Sequence, residues 1–151
     1  MEILSTVLDA LEAEGERAVL ALGATLGSIS VWERDAGVLR TIVNVGAIGG
    51  SEARPAAEIY PVHSFPALVT LLERRTPYCF GHGDLIDVSS ASLVASLRME
   101  TQAAAPISLR GEVWGSLWVA TAPGTRPLSS ADLPRVVRAA NEIARALDAL
   151  I

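Results

Sequence analysis

The sequence predicts one α+β domain, and three observations lead there. The stretch Pro106–Thr121 reads as two strands joined by a tight turn at Arg110-Gly111-Glu112, where glycine supplies the positive φ of a hairpin corner. A second hairpin pattern lies at Gly27–Val45. Amphipathic stripes of helical spacing open and close the chain. Beyond the main turn, Val113, Gly115, Leu117 and Val119 share one parity and Trp114, Ser116, Trp118 and Ala120 the other. Strand side chains alternate between faces, so neither face of this strand is built for water, and it belongs in the middle of a sheet.

Taken in order, Glu2 to about Ala13 carries Ile3, Leu4, Val7, Leu8 and Leu11 at 3-4 spacing and is expected to be helical. Gly15 is expected to interrupt it, since glycine costs ~1 kcal/mol relative to alanine in a helix. Residues 1–15 are therefore read as a lead-in helix and 16–151 as the domain proper, with a second helical piece over Glu16–Leu22. Gly27–Glu33 is the first strand and Arg34–Gly37 the turn. Val38–Val45 is the second strand, its weaker alternation suiting an edge. Gly46–Ala57 is a loop and Ile59–Val62 a short extended piece. Ser64 is expected to cap a helix over Pro66–Arg75, and Ser89 or Ser90 a short one ending near Met99. Between them lies a strand, Pro77–Phe80. After the main hairpin, a final helix is expected over Ala131–Leu150, with Asp132 as its N-cap and Pro134 in its first turn.

Composition narrows the function. The chain has 151 residues, half of them apolar, with a net charge of −5 and all twelve basic residues arginine. That balance provides no basic stripe for a phosphate backbone, which argues against a direct nucleic-acid partner. No apolar run reaches the ~18–20 residues of a membrane span, and no signal peptide is visible, so a cytoplasmic bacterial protein without a membrane partner is expected. A single cysteine, Cys79, leaves no internal disulfide and no cysteine-rich metal site.

The order α–β–β–α–β–α–β–β–α, centred on Pro106, Gly111, Trp114-Gly115 and Leu117, with Asp132 before the last helix and the turn Arg34–Gly37, resembles the GAF family of small-molecule sensor domains. The resemblance spans about Glu16 to Leu150. It implies a central antiparallel sheet of about five to six strands, of the GAF/PAS-like kind, with the terminal helices packed on one face. Short helices and loops would cover a ligand pocket on the other. In that family the terminal helices commonly form a dimer bundle.

The alternation fits this arrangement. Ile29 and Val31 share a small, branched character with Gly115, Leu117 and Val119, suited to helix packing, whereas Ser28, Ser30 and Trp32 accompany Trp114, Ser116 and Trp118. Aromatics interleaved with hydroxyls suit a pocket lining. Trp114 and Trp118 serve equally as core, because burying one ring removes ~150–250 Å² from water, worth roughly 4–6 kcal/mol. The candidate ligand-binding residues are Ser30, Trp32, Tyr60, His63, Tyr78, Arg98, Ser116 and Trp118. Arg98 would be the anion anchor through its planar fork of donors, unless it is simply an exposed helix end. Tyr60, His63 and Tyr78 would close the pocket from the side.

The chemistries that the resemblance makes available find little support. The place of the haem-ligating histidine in haem-binding relatives falls on Ser96, and Cys79, in a strand that reads as buried, suits a packed thiol rather than bilin attachment. The Asn-Lys…Phe…Asp-Glu signature of cyclic-nucleotide relatives is missing from a lysine-free chain. Reduction of free methionine sulfoxide needs two cysteines that meet. His63-Ser64 lacks a nucleophile elbow. His82, Asp84 and Asp87 suit a solvated turn better than a metal. The expected function is a non-catalytic sensor, without a cofactor, that binds an unidentified small metabolite. It would form a homodimer through its terminal helices and signal to an effector protein or a fused domain, the chain itself being one domain of a longer protein. The alternatives are a ligand-free dimerisation or docking module and a thiol redox activity at Cys79. An open cavity of a few hundred Å³ behind Trp118 would favour the sensor, a filled one the docking module.

Overall fold

The computed structural model describes residues 3–49, 51–81, 84 and 86–151. Helix α1 (Ser5–Leu22) is followed by strands β1 (Leu26–Glu33), β2 (Val38–Gly46) and β3 (Glu58–Pro61). Helix α2 (Pro66–Leu72), strand β4 (Tyr78–Phe80) and helix α3 (Val88–Ser96) come next, then β5 (Thr101–Leu109), β6 (Glu112–Thr121) and helix α4 (Leu133–Asp148). The six strands form one sheet in the order β3-β2-β1-β6-β5-β4, every neighbouring pair antiparallel. β6 lies between β1 and β5, the interior place that its apolar faces require. β2 is not an edge, because β3 pairs outside it. The true edges, β3 and β4, are four and three residues long, short enough to offer little to a foreign strand.

α1 and α4 cover one face of the sheet. Leu11, Ala18 and Leu22 of α1 and Val136, Ala140, Ile143 and Leu147 of α4 are buried against Ile29, Val43, Ala105, Ile107, Leu117 and Val119. The expected break at Gly15 does not occur: α1 runs through it, and Val7 and Leu11 from the lead-in segment join the same core. Gly15 is the point of closest approach. A Cβ there would stand 3.3 Å from Val45 Cγ2 and 3.4 Å from Ile29 Cδ1, so the helix lies lower on the sheet than alanine allows without adjustment.

Three caps differ from expectation. α3 is capped by Asp87, whose carboxylate accepts from the backbone N–H and hydroxyl of Ser90, both at 2.9 Å. Phe65 precedes α2 with no side-chain cap, and Ser64 belongs to a 3-10 turn, Val62–Ser64. α4 is entered through a second 3-10 turn, Ser130–Asp132, where Ser129 and Asp132 form a reciprocal capping box. Asp132 holds the N-cap position of α4, as expected, but its side chain reaches back to the Ser129 N–H (2.9 Å) instead of capping forward. It is 2 % exposed and also meets Arg126 Nη2 at 2.8 Å. Burial alone would raise its pKa, but the hydrogen bonds from Arg126 and Ser129, with the charges of Arg126 and Arg135, hold it below its usual 3.8.

Candidate functional site

The sheet face opposite α1 and α4 is covered by α2, α3 and the β2–β3 loop, and a cavity of about 50 Å³ remains beneath them. Its floor is set by strand register. Ser28 lies opposite both Asn44 and Trp118, and Ser30 opposite both Thr41 and Ser116. The Ser28 hydroxyl donates to Asn44 Oδ1 (2.6 Å), and the Ser30 and Thr41 hydroxyls share a bond of 2.9 Å. Trp118 Nε1 donates to Gln102 Oε1 at 2.9 Å, and Gln102 reaches the Ser90 carbonyl of α3 at 3.5 Å. Ser116 is 1 % exposed and lines the same cavity.

Two bulges decide which residues reach this floor. In β2 the pairing shifts between Ile29/Val43 and Ser30/Thr41, so Ile42 is an extra residue turned to the helix-side core, and Thr41 and Asn44 share the cavity face. In β6 the shift falls between Ile107/Gly115 and Ser108/Val113, leaving Trp114 unopposed. The parity read from the sequence therefore reverses there. Val113 belongs to the cavity-side cluster, and Trp114 packs against the helix-side core. Gly115 follows the bulge because β1 passes so close that any Cβ would collide with the Ser30 carbonyl.

Of the eight candidate residues, Ser30, Tyr60, Tyr78, Ser116 and Trp118 line the cavity. Trp32 does not. It packs on the edge of the same cluster under Arg34, whose guanidinium carbon lies 4.2 Å from the ring centroid. His63 is exposed, its Nε2 3.6 Å from Glu73 Oε2. Arg98 is exposed beyond α3 in the left-handed region (φ 59°) and is not part of the lining. The polar lining residues that sequence reasoning missed include Thr41, Asn44, Ser51, Glu58, Ser90 and Gln102. For Asn44 and Gln102 the signal is a polar side chain set in a strand of small or branched apolar residues, as in Ile42-Val43-Asn44-Val45 and Gln102-Ala103-Ala104-Ala105.

The two tyrosines of the lining favour their neutral forms. Burial, aided by the Glu58 carboxylate, pushes the Tyr60 phenol up to about 12. Burial and the Asp87 charge push Tyr78 up as well. Cys79 pairs with Ala103 and lies against the helix-side core rather than the cavity. Burial, with the charges of Asp132 and Asp84, raises its thiol to about 11. Among the described residues, no three His, Cys, Asp or Glu side chains cluster as a metal site would require, and no helix is long and apolar enough to cross a membrane. His82, named with Asp84 and Asp87 in the sequence, lies outside the described residues.

The cavity cover is also tied to α1. The backbone N–H of Asn44 donates to the Ala53 carbonyl and its Nδ2 to the Glu52 carbonyl, both at 2.8 Å. The next residue, Arg54, holds Glu12 Oε2 at 2.9 Å and Asp9 Oδ1 at 2.5 Å on α1.

A family model described as GAF domain matches residues 2–147. Among solved structures, the blue-light absorbing form of the Thermosynechococcus elongatus PixJ GAF-domain has a TM-score of 0.72 at 13 % identity, covering 97 % of this chain and 87 % of that one. The second GAF domain of DevS from Mycobacterium smegmatis gives 0.71 at 18 % identity over 95 % and 94 %. The phycocyanobilin-bound GAF domain from a cyanobacterial phytochrome gives 0.75 at 16 % identity over 95 % and 85 %. No curated protein sequence matches the chain.

Proposed function

The chain belongs to the GAF domain family, and from that premise we propose that it is a non-catalytic sensory domain whose ligand binds in the cavity over Ser30, Ser116 and Trp118. The observation that carries this reading is the cavity itself, lined by the hydroxyls of Ser30, Thr41 and Ser116 beside the Trp118 ring.

A cavity of about 50 Å³ holds only a few waters. A metabolite therefore enters by displacing the cover, the β2–β3 loop together with α3. That displacement is the proposed signal. The loop is bonded to Asn44 at the cavity and through Arg54 to α1, so a ligand that moves it changes how α1 is held. The receiver is a second copy packed on α1 and α4, an effector protein or a fused domain. The coupling cannot exceed the ligand's difference in affinity between the two states of the loop. Cys79, off the cavity and protonated, supports neither a redox activity nor a thiol-linked chromophore.

Thermal unfolding in the presence of small metabolites tests the reading. A ligand at a hundred times its Kd stabilises by about 2.7 kcal/mol, roughly 5–10 °C for a chain of this size. The shift should disappear in Ser116→Leu and Trp118→Ala. A shift that persists in both variants places the ligand elsewhere. The second reading, a ligand-free dimerisation or docking module, draws on the modest cavity volume and predicts no shift with any compound.

A further inference from the structure

We infer that the cavity takes a small amphipathic amine, with a flat apolar body and an amine or ammonium end, in preference to a carboxylate or phosphate. The inference rests on the sensor reading above and names the ligand class of the same site.

The two walls differ in chemistry. Leu68, Leu71, Leu93, Leu97 and the Trp118 ring make one wall apolar. The other, from β1–β3, presents the hydroxyls of Ser30 and Thr41, Asn44, the Tyr60 phenol and the Glu58 carboxylate. Among the described lining residues Glu58 is the one acidic side chain besides the two tyrosines, whose phenols burial holds protonated, and no arginine or histidine lines the cavity. The nearby arginines are engaged elsewhere. Arg40 donates to Glu33 (2.9 Å), Arg34 to the Val113 carbonyl (3.0 Å) and Arg54 to α1.

An anionic ligand would give up its hydration beside a carboxylate with no counter-charge to receive it. An ammonium would instead gain a charge-assisted bond. Glu58 has room for one. Asn44 Nδ2 lies 3.4 Å from its Oε1 and the Tyr60 phenol also bonds to the carboxylate, two partners for a group with about four acceptor sites. Ser116, also in the lining, supplies a further hydroxyl.

The test is titration of the uniformly ¹⁵N-labelled protein with 2-phenylethylamine, 2-phenylethanol and phenylacetate, one ring carrying a cation, a neutral hydroxyl or an anion. The Trp118 indole N–H resonance, identified by its loss in Trp118→Phe, is the readout. The amine should bind about ten-fold or more tighter than phenylacetate, with the alcohol between them. In Glu58→Gln the amine's advantage over the alcohol should vanish while the alcohol's own affinity is unchanged. Phenylacetate binding as tightly as the amine, or an amine preference that survives Glu58→Gln, overturns the ligand class and leaves the cavity as a ligand site. No movement of the Trp118 resonance with any of the three overturns the sensor reading as well.

Discussion

The Trp118 indole N–H donates to the Gln102 side-chain carbonyl at 2.9 Å, joining β6 to β5 on the cavity floor. Gln102 is 2 % exposed, so this bond both satisfies a buried acceptor and fixes the ring's position in the site. Trp118→Phe keeps the apolar face and removes the donor. It should cost about 1–3 kcal/mol, the penalty for a buried carbonyl left unpaired. Adding Gln102→Leu should recover part of that loss. Urea unfolding of the two single variants and the double variant measures the coupling; strictly additive losses would show that the bond contributes nothing.

Two glycines should respond very differently to alanine. At Gly115 the added Cβ meets the Ser30 carbonyl, a backbone atom that no rotamer change can move, so Gly115→Ala should destabilise by about 3 kcal/mol or more. At Gly15 the nearest atoms are side-chain methyls of Val45 and Ile29, and alanine gains about 1 kcal/mol of helix propensity. Gly15→Ala should stay within about 1 kcal/mol of the parent. Denaturant midpoints of the two variants decide the matter.

Asp132 makes stability depend on acid. Its folded-state pKa lies below its usual 3.8, so its contribution is present above that value and is lost as pH falls through 3.8 toward the depressed value. The stability difference between parent and Asp132→Asn should be constant above about pH 5 and shrink below it. A difference that does not change with pH would show that the capping box acts without charge.

The bulges explain why the site was only partly legible in the sequence. Alternation placed Ser30, Ser116 and Trp118 on the cavity face correctly, because β1 and the end of β6 pair without interruption from Leu26 to Val31. It misplaced Val113 and Trp114, and it missed the shared face of Thr41 and Asn44, because a bulge arises from pairing between strands rather than from the local sequence. His63 and Arg98 lie in or beside turns where direction follows local φ and ψ, which periodicity does not encode. The fold order was clearer, since each strand and helix carries its own pattern. Gly15 is the exception: its helical cost is outweighed by the close packing that it permits.

Cys79 should be sluggish toward alkylating agents. With its thiol raised to about 11, roughly one molecule in ten thousand carries the thiolate at pH 7. Iodoacetamide should therefore label it more than about a hundred-fold more slowly than a free cysteine. Rapid labelling at neutral pH would reopen a redox role.

The three tryptophans provide the most direct measurement of all. Trp118 lines the cavity, Trp32 lies at its margin beneath Arg34, and Trp114 packs on the opposite face of the sheet. When pooled small metabolites are added to the ¹⁵N-labelled protein, the Trp118 indole N–H should shift and saturate while that of Trp114 holds still. If no compound at millimolar concentration moves Trp118, or if every compound that moves it moves Trp114 equally, the cavity is core and the chain does not sense through it.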